Sequence, residues 1–383
     1  MYKIKKKRQE RKVAKMNATL RDKFFGCICG AHIGSAMGAV VEGWLSEKTE
    51  EVYGTLDKLV AYEHYDNGWL REAGTTEDGI DRQKLMITAI IEKGDRINAE
   101  DLRKIWVRDI SPLAAGGISE PFEGELLKIS KTVIPARDIG RYCDYSNLVS
   151  MARSCHPIGM INAGDIEGAI KDVMEVGQVY NYANTKALKW ANVTAVGIAA
   201  AMLPGATVDS VLQAIFDNCD ERKLDGDDDV HRDYAGLYVV DELKRALDLT
   251  ANCKDHVELR EKINTLYYGV GMPYAMAFAN ELVTKGVCVF AMCGGDIKKA
   301  IITATNLGRD TDCAAAVAAG LSGALGQIDT IPEEWIKQVD YATSVHRFTN
   351  NKRTLRECSD GLYEAYKNKL KKYREYVAVM DIE

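Results

Sequence analysis

Two short stretches carry side chains whose types and spacing could do chemistry. In Asn306-Leu307-Gly308-Arg309-Asp310-Thr311-Asp312-Cys313, two carboxylates stand two residues apart at the edge of an uncharged tract that runs from Cys313 to Ile328. The segment before it, Ala300 to Leu307, is also uncharged. Two core helices are therefore expected to meet at a polar junction. Burying carboxylates there costs several kcal/mol each unless a cation or donors compensate. Residues two apart diverge on a helix but share one side of an extended chain, so Asp310 and Asp312 converge only where the backbone is not helical. Gly308 supplies a place for that break. The second stretch, Thr75-Thr76-Glu77-Asp78-Gly79, precedes an apolar-periodic helix ending at Lys93-Gly94. Hydroxyls and carboxylates without nearby imidazole suit hard cations such as magnesium or calcium. The same residues also fit ordinary helix starts, with Asp310, Thr311, Asp312 or the acids at 77 and 78 accepting from free amides.

Taken in order, these stretches and others resemble the ADP-ribosylglycohydrolase family, whose members include enzymes that remove ADP-ribose from proteins. The family's Gly-rich helix pattern GxxxGDxxGxxxE is matched from Gly30 to Glu42, and its TDDT motif by Thr76-Glu77-Asp78-Gly79. Its GGDTDT motif is matched by Gly308-Arg309-Asp310-Thr311-Asp312-Cys313, followed by Ile331, Pro332 and Trp335 of an IPxxW ending. An MRxxP-like stretch runs from Met151 to Pro157.

The resemblance, from about Phe24 to Trp335, implies an all-α, many-helix orthogonal bundle and a metal-dependent hydrolase of N- or O-linked ribosides. It implies one or two Mg2+ ions, with Mn2+ as the other candidate, held by Thr76, Glu77, Asp78, Asp310 and Asp312. Glu42, Glu77 and Asp78 are then the catalytic carboxylates, and Ser35, Arg153, His156, Gly308, Arg309 and Cys313 the substrate contacts. The substrate is a small riboside or an ADP-ribosylated molecule. The alternative is a non-catalytic ADP-ribose- or nucleotide-binding relative. Four positions depart from the pattern: Ser35 and Glu77 replace aspartates, Gly79 a threonine, and Cys313 a threonine or serine. A thiol is a poor magnesium ligand, and Glu77 is one methylene longer than the residue it replaces.

The elements around these motifs read as helical. The chain has 383 residues and only seven prolines, which suits helices, and its net charge of -6 argues against a basic nucleic-acid-binding face. Its expected organisation is a basic arm over 1–20, a helical domain over 21–340 and a C-terminal helical extension over 341–383 packed on the same domain. Ten cysteines without a CxxC pair read as reduced, buried thiols in a cytoplasmic protein, with Cys155 and Cys313 beside suspected sites. The apolar run from Phe24 to Val41 approaches a membrane span in length, but its glycines at 26, 30, 34 and 38 also suit close backbone packing in a core. The core reading is adopted here, with no membrane or nucleic-acid partner and a monomer or small homo-oligomer expected.

Smaller features are placed accordingly. The aromatic-rich Tyr62 to Trp69 segment, with His64 and Asp66, suits a substrate-covering loop or packed surface aromatics. Tyr180, Asn181, Tyr182 and Asn184 fit a base-stacking cluster or a satisfied helix junction. Asp225 to Asp229, next to His231, lacks the glutamate of a calcium loop. Gly269 to Pro273 lacks the lysine of a phosphate-binding loop. Pro112, Gly116-Gly117, Pro121 and Pro135 punctuate the region between into short helices and loops.

Overall fold

Glycine at every fourth position from 26 to 38 lines one face of the first helix, and that face meets another backbone directly. The computed structural model describes residues 18–63, 68–110, 121–143, 148–183, 185–220, 238–267, 277–349 and 351–380. The basic arm up to Lys15, His64, Asp66, Pro112, Gly116-Gly117, Asn184, the Asp225 to Asp229 run with His231, and the Gly269 to Pro273 loop lie outside the described residues.

The fold is all-α. In chain order the helices are α1 (Leu20–Gly38), α2 (Ser46–Tyr53), α3 (Asp78–Lys93), α4 (Ala99–Asp109), α5 (Pro121–Ser130), α6 (His156–Ile161), α7 (Ile166–Val176) and α8 (Lys186–Ala201). They continue as α9 (Val208–Asn218), α10 (Val239–Thr250), α11 (His256–Tyr267), α12 (Ala279–Cys293), α13 (Ile297–Thr305), α14 (Thr311–Ala324), α15 (Glu333–Val345) and α16 (Leu355–Val379). A two-residue antiparallel pair, β1 (Tyr62–Glu63) and β2 (Leu70–Arg71), leads into the segment before α3.

Helix α1 begins at a capping box in which Thr19 and Asp22 exchange hydrogen bonds, and it is buried from Lys23 to Gly38. The stretch Leu20–Val41 is long and apolar enough to cross a membrane, yet its apolar window lies wholly inside the protein. A helix apolar on every side is a core helix when other helices cover it, as here. Its glycines explain how closely α14 covers it. A Cβ placed on Gly30 would lie 2.1 Å from the carbonyl oxygen of Ala319, on Gly34 2.6 Å from that of Ala315, and on Gly26 2.4 Å from that of Gly323. On Gly38 it would meet the Cα of Asp312 at 2.5 Å.

Polar cross-links hold the other elements on this pair. Gln83 of α3 joins His32 of α1 at 3.1 Å and His156 of α6 at 3.0 Å, and the other ring nitrogen of His156 lies 3.0 Å from the carbonyl of Ala316. Burial pushes the His156 imidazole down to about 4, so it stays neutral in this relay. Helix α16 packs back on α1 through Arg21 and Asp360, which pair at 2.8 Å, and through Tyr363 and Tyr366 against Phe24. Buried Lys369 of α16 donates to the carbonyl of Ile161 and to Asn162 Oδ1.

Replacing Gly30 by Ala forces a methyl group into the α14 backbone and is expected to cost about 3 kcal/mol or more in chemical denaturation. An unchanged unfolding midpoint would contradict this close approach.

Candidate metal centre

The α1/α14 contact decides where the first carboxylates lie. Thr311 Oγ1 donates to the carbonyl of Gly38 at 2.8 Å, fastening the first residue of α14 to the last turn of α1. The chain reaches α14 through two left-handed residues, Gly308 at φ 80° and Arg309 at φ 71°. A side chain at Gly308 would come within 2.7 Å of the Ser46 amide nitrogen. Arg309 is the one non-glycine with positive φ among the described residues. Its amide donates to Trp44 O at 2.7 Å and its carbonyl accepts from Gly43 N at 2.9 Å, so the backbone just after Glu42 is stitched to the one just before Asp310. The break predicted near Gly308 is therefore present. It leaves Asp310 outside the helix and Asp312 in its first turn.

Neither acidic stretch caps its own helix. Asp310 and Glu77 occupy the N-cap positions of α14 and α3, but neither side chain accepts a hydrogen bond from its helix. Elsewhere the chain caps properly, with Thr19, Asn98, Asp165, Thr207, Asp296 and Thr354 all accepting from an amide three residues on. Glu77 turns instead to Arg71, while Asp78, Asp310 and Asp312 lie close enough to act on one another and on Glu42. Burial, then Asp310, pushes the carboxyl of Asp312 well above the usual range, while Arg153 works in the opposite direction. Burial and the charges of Asp312, Asp310 and Asp78 do the same to partly buried Glu42. Asp312 is 2 % exposed, and its Oδ1 accepts no hydrogen bond.

Two guanidinium groups balance part of this charge. Arg153 donates to Asp78 Oδ2 at 2.7 Å and to Cys313 Sγ at 3.7 Å, linking the two junctions. Gly79 makes room for it, since a Cβ there would sit 2.8 Å from Arg153 Cδ. The replacement of threonine by Gly79 thus has a steric counterpart. Glu77 has its own cation: Arg71 of β2 pairs with Oε1, which also accepts from Tyr62 OH at 3.2 Å. Arg71 is buried between the rings of Tyr62 and Trp69.

The structure thus brings Glu42, Asp78, Asp310, Asp312, Cys313 and Arg153 around one volume, with Thr76 buried in the neighbouring segment. Ser35 Oγ accepts from the amide of Glu77 at 3.3 Å and ties that segment to α1. His156 is different: it has no solvent exposure, and both its ring nitrogens are engaged in the Gln83 relay. Arg309 is likewise committed, donating through Nε and Nη2 to the two oxygens of Glu281 at 2.7 and 2.8 Å. Buried Lys285 also donates to Glu281 at 2.7 Å. Of the aromatic cluster, Tyr180 is fully buried edge-on against Trp106, and Tyr182 is exposed beside Arg141.

Sequence reasoning missed Arg71, Glu281 and Lys285, and it placed Tyr62 in an aromatic loop without its contact to Glu77. The extra methylene of Glu77 signalled a changed partner without naming it, and Glu281 with Lys285 has the spacing of an unremarkable surface pair.

The donor set fits a divalent cation. Several carboxylates that repel one another, and a buried oxygen with no donor, are stabilised by a cation more effectively than by hydrogen bonds. Asp312→Asn removes one repelling charge. Without added cations it is expected to raise stability near neutral pH by about 1–2 kcal/mol. The sign follows from the raised carboxyl: the cation-free parent loses stability as pH climbs above the ordinary carboxylate range, and the variant loses less. The variant should also lose any rise in melting temperature produced by divalent cations. A destabilised variant that keeps the cation response would contradict this picture.

Comparison with known proteins agrees with the fold and the motifs. Residues 16–370 match the ADP-ribosylglycohydrolase family. A relative from Archaeoglobus fulgidus, described as an uncharacterized protein, is 23% identical over 330 residues, covering 83% of this chain and 92% of its own length. A solved structure described as an ADP-ribosylglycohydrolase-related protein complex superimposes with a TM-score of 0.60 at 16% identity, covering 91% of this chain and 98% of that one. At that identity the likeness concerns the fold.

Proposed function

The chain belongs to the ADP-ribosylglycohydrolase family, and on that premise we propose that it hydrolyses an N- or O-linked riboside with the help of a divalent cation. The substrate class is an ADP-ribosylated molecule or a smaller nucleoside or sugar conjugate. One observation supports the reading most: α14 starts without a side-chain cap, and its Asp310 and Asp312 lie close enough to Asp78 of α3 and to Glu42 for their charges to act on one another.

Glycoside cleavage passes through an oxocarbenium-like state and needs a water delivered to the anomeric carbon. A divalent cation bound among these carboxylates would supply positive charge for ribose hydroxyls and for that water. Asp310 and Asp312 hold the cation. Asp78, oriented by Arg153, completes the acidic wall, and Glu42, partly exposed just beyond α1, accepts the proton of the attacking water. Arg153 keeps the wall from excessive negative charge when substrate phosphate or ribose enters.

A second reading, a binder of such ribosides without turnover, is favoured by one feature. Arg71 holds Glu77 Oε1 and takes that oxygen from the acidic wall. Turnover separates the two. Sugar release should be measured on a panel of ADP-ribosylated Arg and Ser peptides, ADP-ribose conjugates, nucleosides and simple ribosides, with Mg2+, Mn2+ or Zn2+. Release that disappears with chelator and in Asp312→Ala is the expected result. Release that survives both would contradict the cation-assisted mechanism, and binding without any release would establish the second reading.

A further inference from the structure

Cys313 is the residue that the cation reading, on which this inference rests, leaves without a role. It lies in the first turn of α14 and is 2 % exposed. Among the described residues, Asp310, Asp312 and Cys313 form the one group whose ligand atoms all fall within 4.8 Å of one another. Cys313 Sγ is 3.6 Å from Asp312 Oδ2, and the remaining oxygen of Asp312 is buried without a hydrogen-bond donor. At the other junction both carboxylates already have guanidinium partners, Glu77 with Arg71 and Asp78 with Arg153. The ligand atoms close enough to share one cation are therefore those of two carboxylates and a sulfur.

That set selects among metals. Magnesium takes oxygen ligands and reluctantly sheds water, whereas zinc and cobalt accept mixed oxygen and sulfur donors. We propose that the chain binds a single divalent ion of the Zn2+ or Co2+ class through Asp310, Asp312 and the sulfur of Cys313. On binding, the S–H bond breaks, the proton leaves to solvent and the electron pair that remains on sulfur forms the metal–sulfur bond, with no change of oxidation state. Arg153, which already donates to this sulfur at 3.7 Å, then supports the thiolate. One ion per chain is expected, because the described residues hold one group of ligand atoms this close together.

The test is a Co2+ titration of the full chain, read by sulfur-to-cobalt charge-transfer absorption in the near ultraviolet and by metal content after gel filtration. Parent, Cys313→Ser and, as a control at a half-buried cysteine, Cys253→Ser are compared, with folding checked by thermal unfolding. The expected band saturates at one equivalent, is displaced by Zn2+ but not by equal Mg2+, and survives in Cys253→Ser. Cys313→Ser should lose it and bind Co2+ at least about tenfold more weakly. Should Cys313→Ser not fold, metal-dependent protection of Cys313 from alkylation in the parent, read by peptide mass spectrometry, replaces it. Cobalt bound without the band, a band that persists in Cys313→Ser, an alkylation rate indifferent to metal, or two equivalents per chain would overturn the proposal while leaving the cation reading intact. No binding of Mg2+, Mn2+, Co2+ or Zn2+ would overturn both.

Discussion

Two helix backbones in near contact govern the rest of this structure. Glycines at 26, 30, 34 and 38 let α1 lie against α14, and the last of them touches the backbone of Asp312 itself. Van der Waals packing of this kind is lost quickly with a small gap, so the seam fixes α14 along its length as well as at one point. Its functional consequence lies at one end. There Thr311 is bonded to the Gly38 carbonyl, and the chain after Glu42 is bonded to Arg309 on both sides. Glu42, Asp310 and Asp312 are placed together by backbone, with little left to side-chain flexibility.

Such placement works against the stability of the site itself. Asp310 could have capped α14 and Glu77 could have capped α3, yet Asp310 lies against Asp312 and Glu77 pairs with Arg71, although the same chain caps other helices in the ordinary way. Conflict of this kind, maintained by a rigid surround, is the feature on which the proposed cation site rests. The surround is visible in the buried Glu281–Lys285–Arg309 cluster, which holds a left-handed arginine immediately before the acids. Burial pushes the Lys285 ammonium down from its ordinary range, and the charges of Glu281 and Asp310 act against that.

The helical fold, the acidic stretches and the glycine seam were legible because each is a local pattern with a fixed period or a strong residue preference. The break near Gly308 followed from the need for two carboxylates to converge. Long-range partners were not legible. Arg71 reaches Glu77 only because a short hairpin turns back over the start of α3, and Glu281 meets Arg309 only through the packing of α12 on α14. His156 shows the same limit: its neighbourhood in the sequence suggested a substrate contact, while its ring is fully buried between α3 and α14. Length and apolarity alone could not tell α1 from a membrane span; the structure adds that its apolar window is wholly buried inside the protein.

The central claim is that the facing carboxylates form a cation site built by the α1/α14 seam. Anomalous diffraction from crystals of the full chain grown with Mn2+ or Co2+, recorded at the metal's absorption edge, tests it most directly. The account predicts a peak within bonding distance of both Asp310 and Asp312, with Thr311 still bonded to the Gly38 carbonyl. A map without a peak there, in which the two carboxylates have turned to accept the first amides of α14, would contradict it.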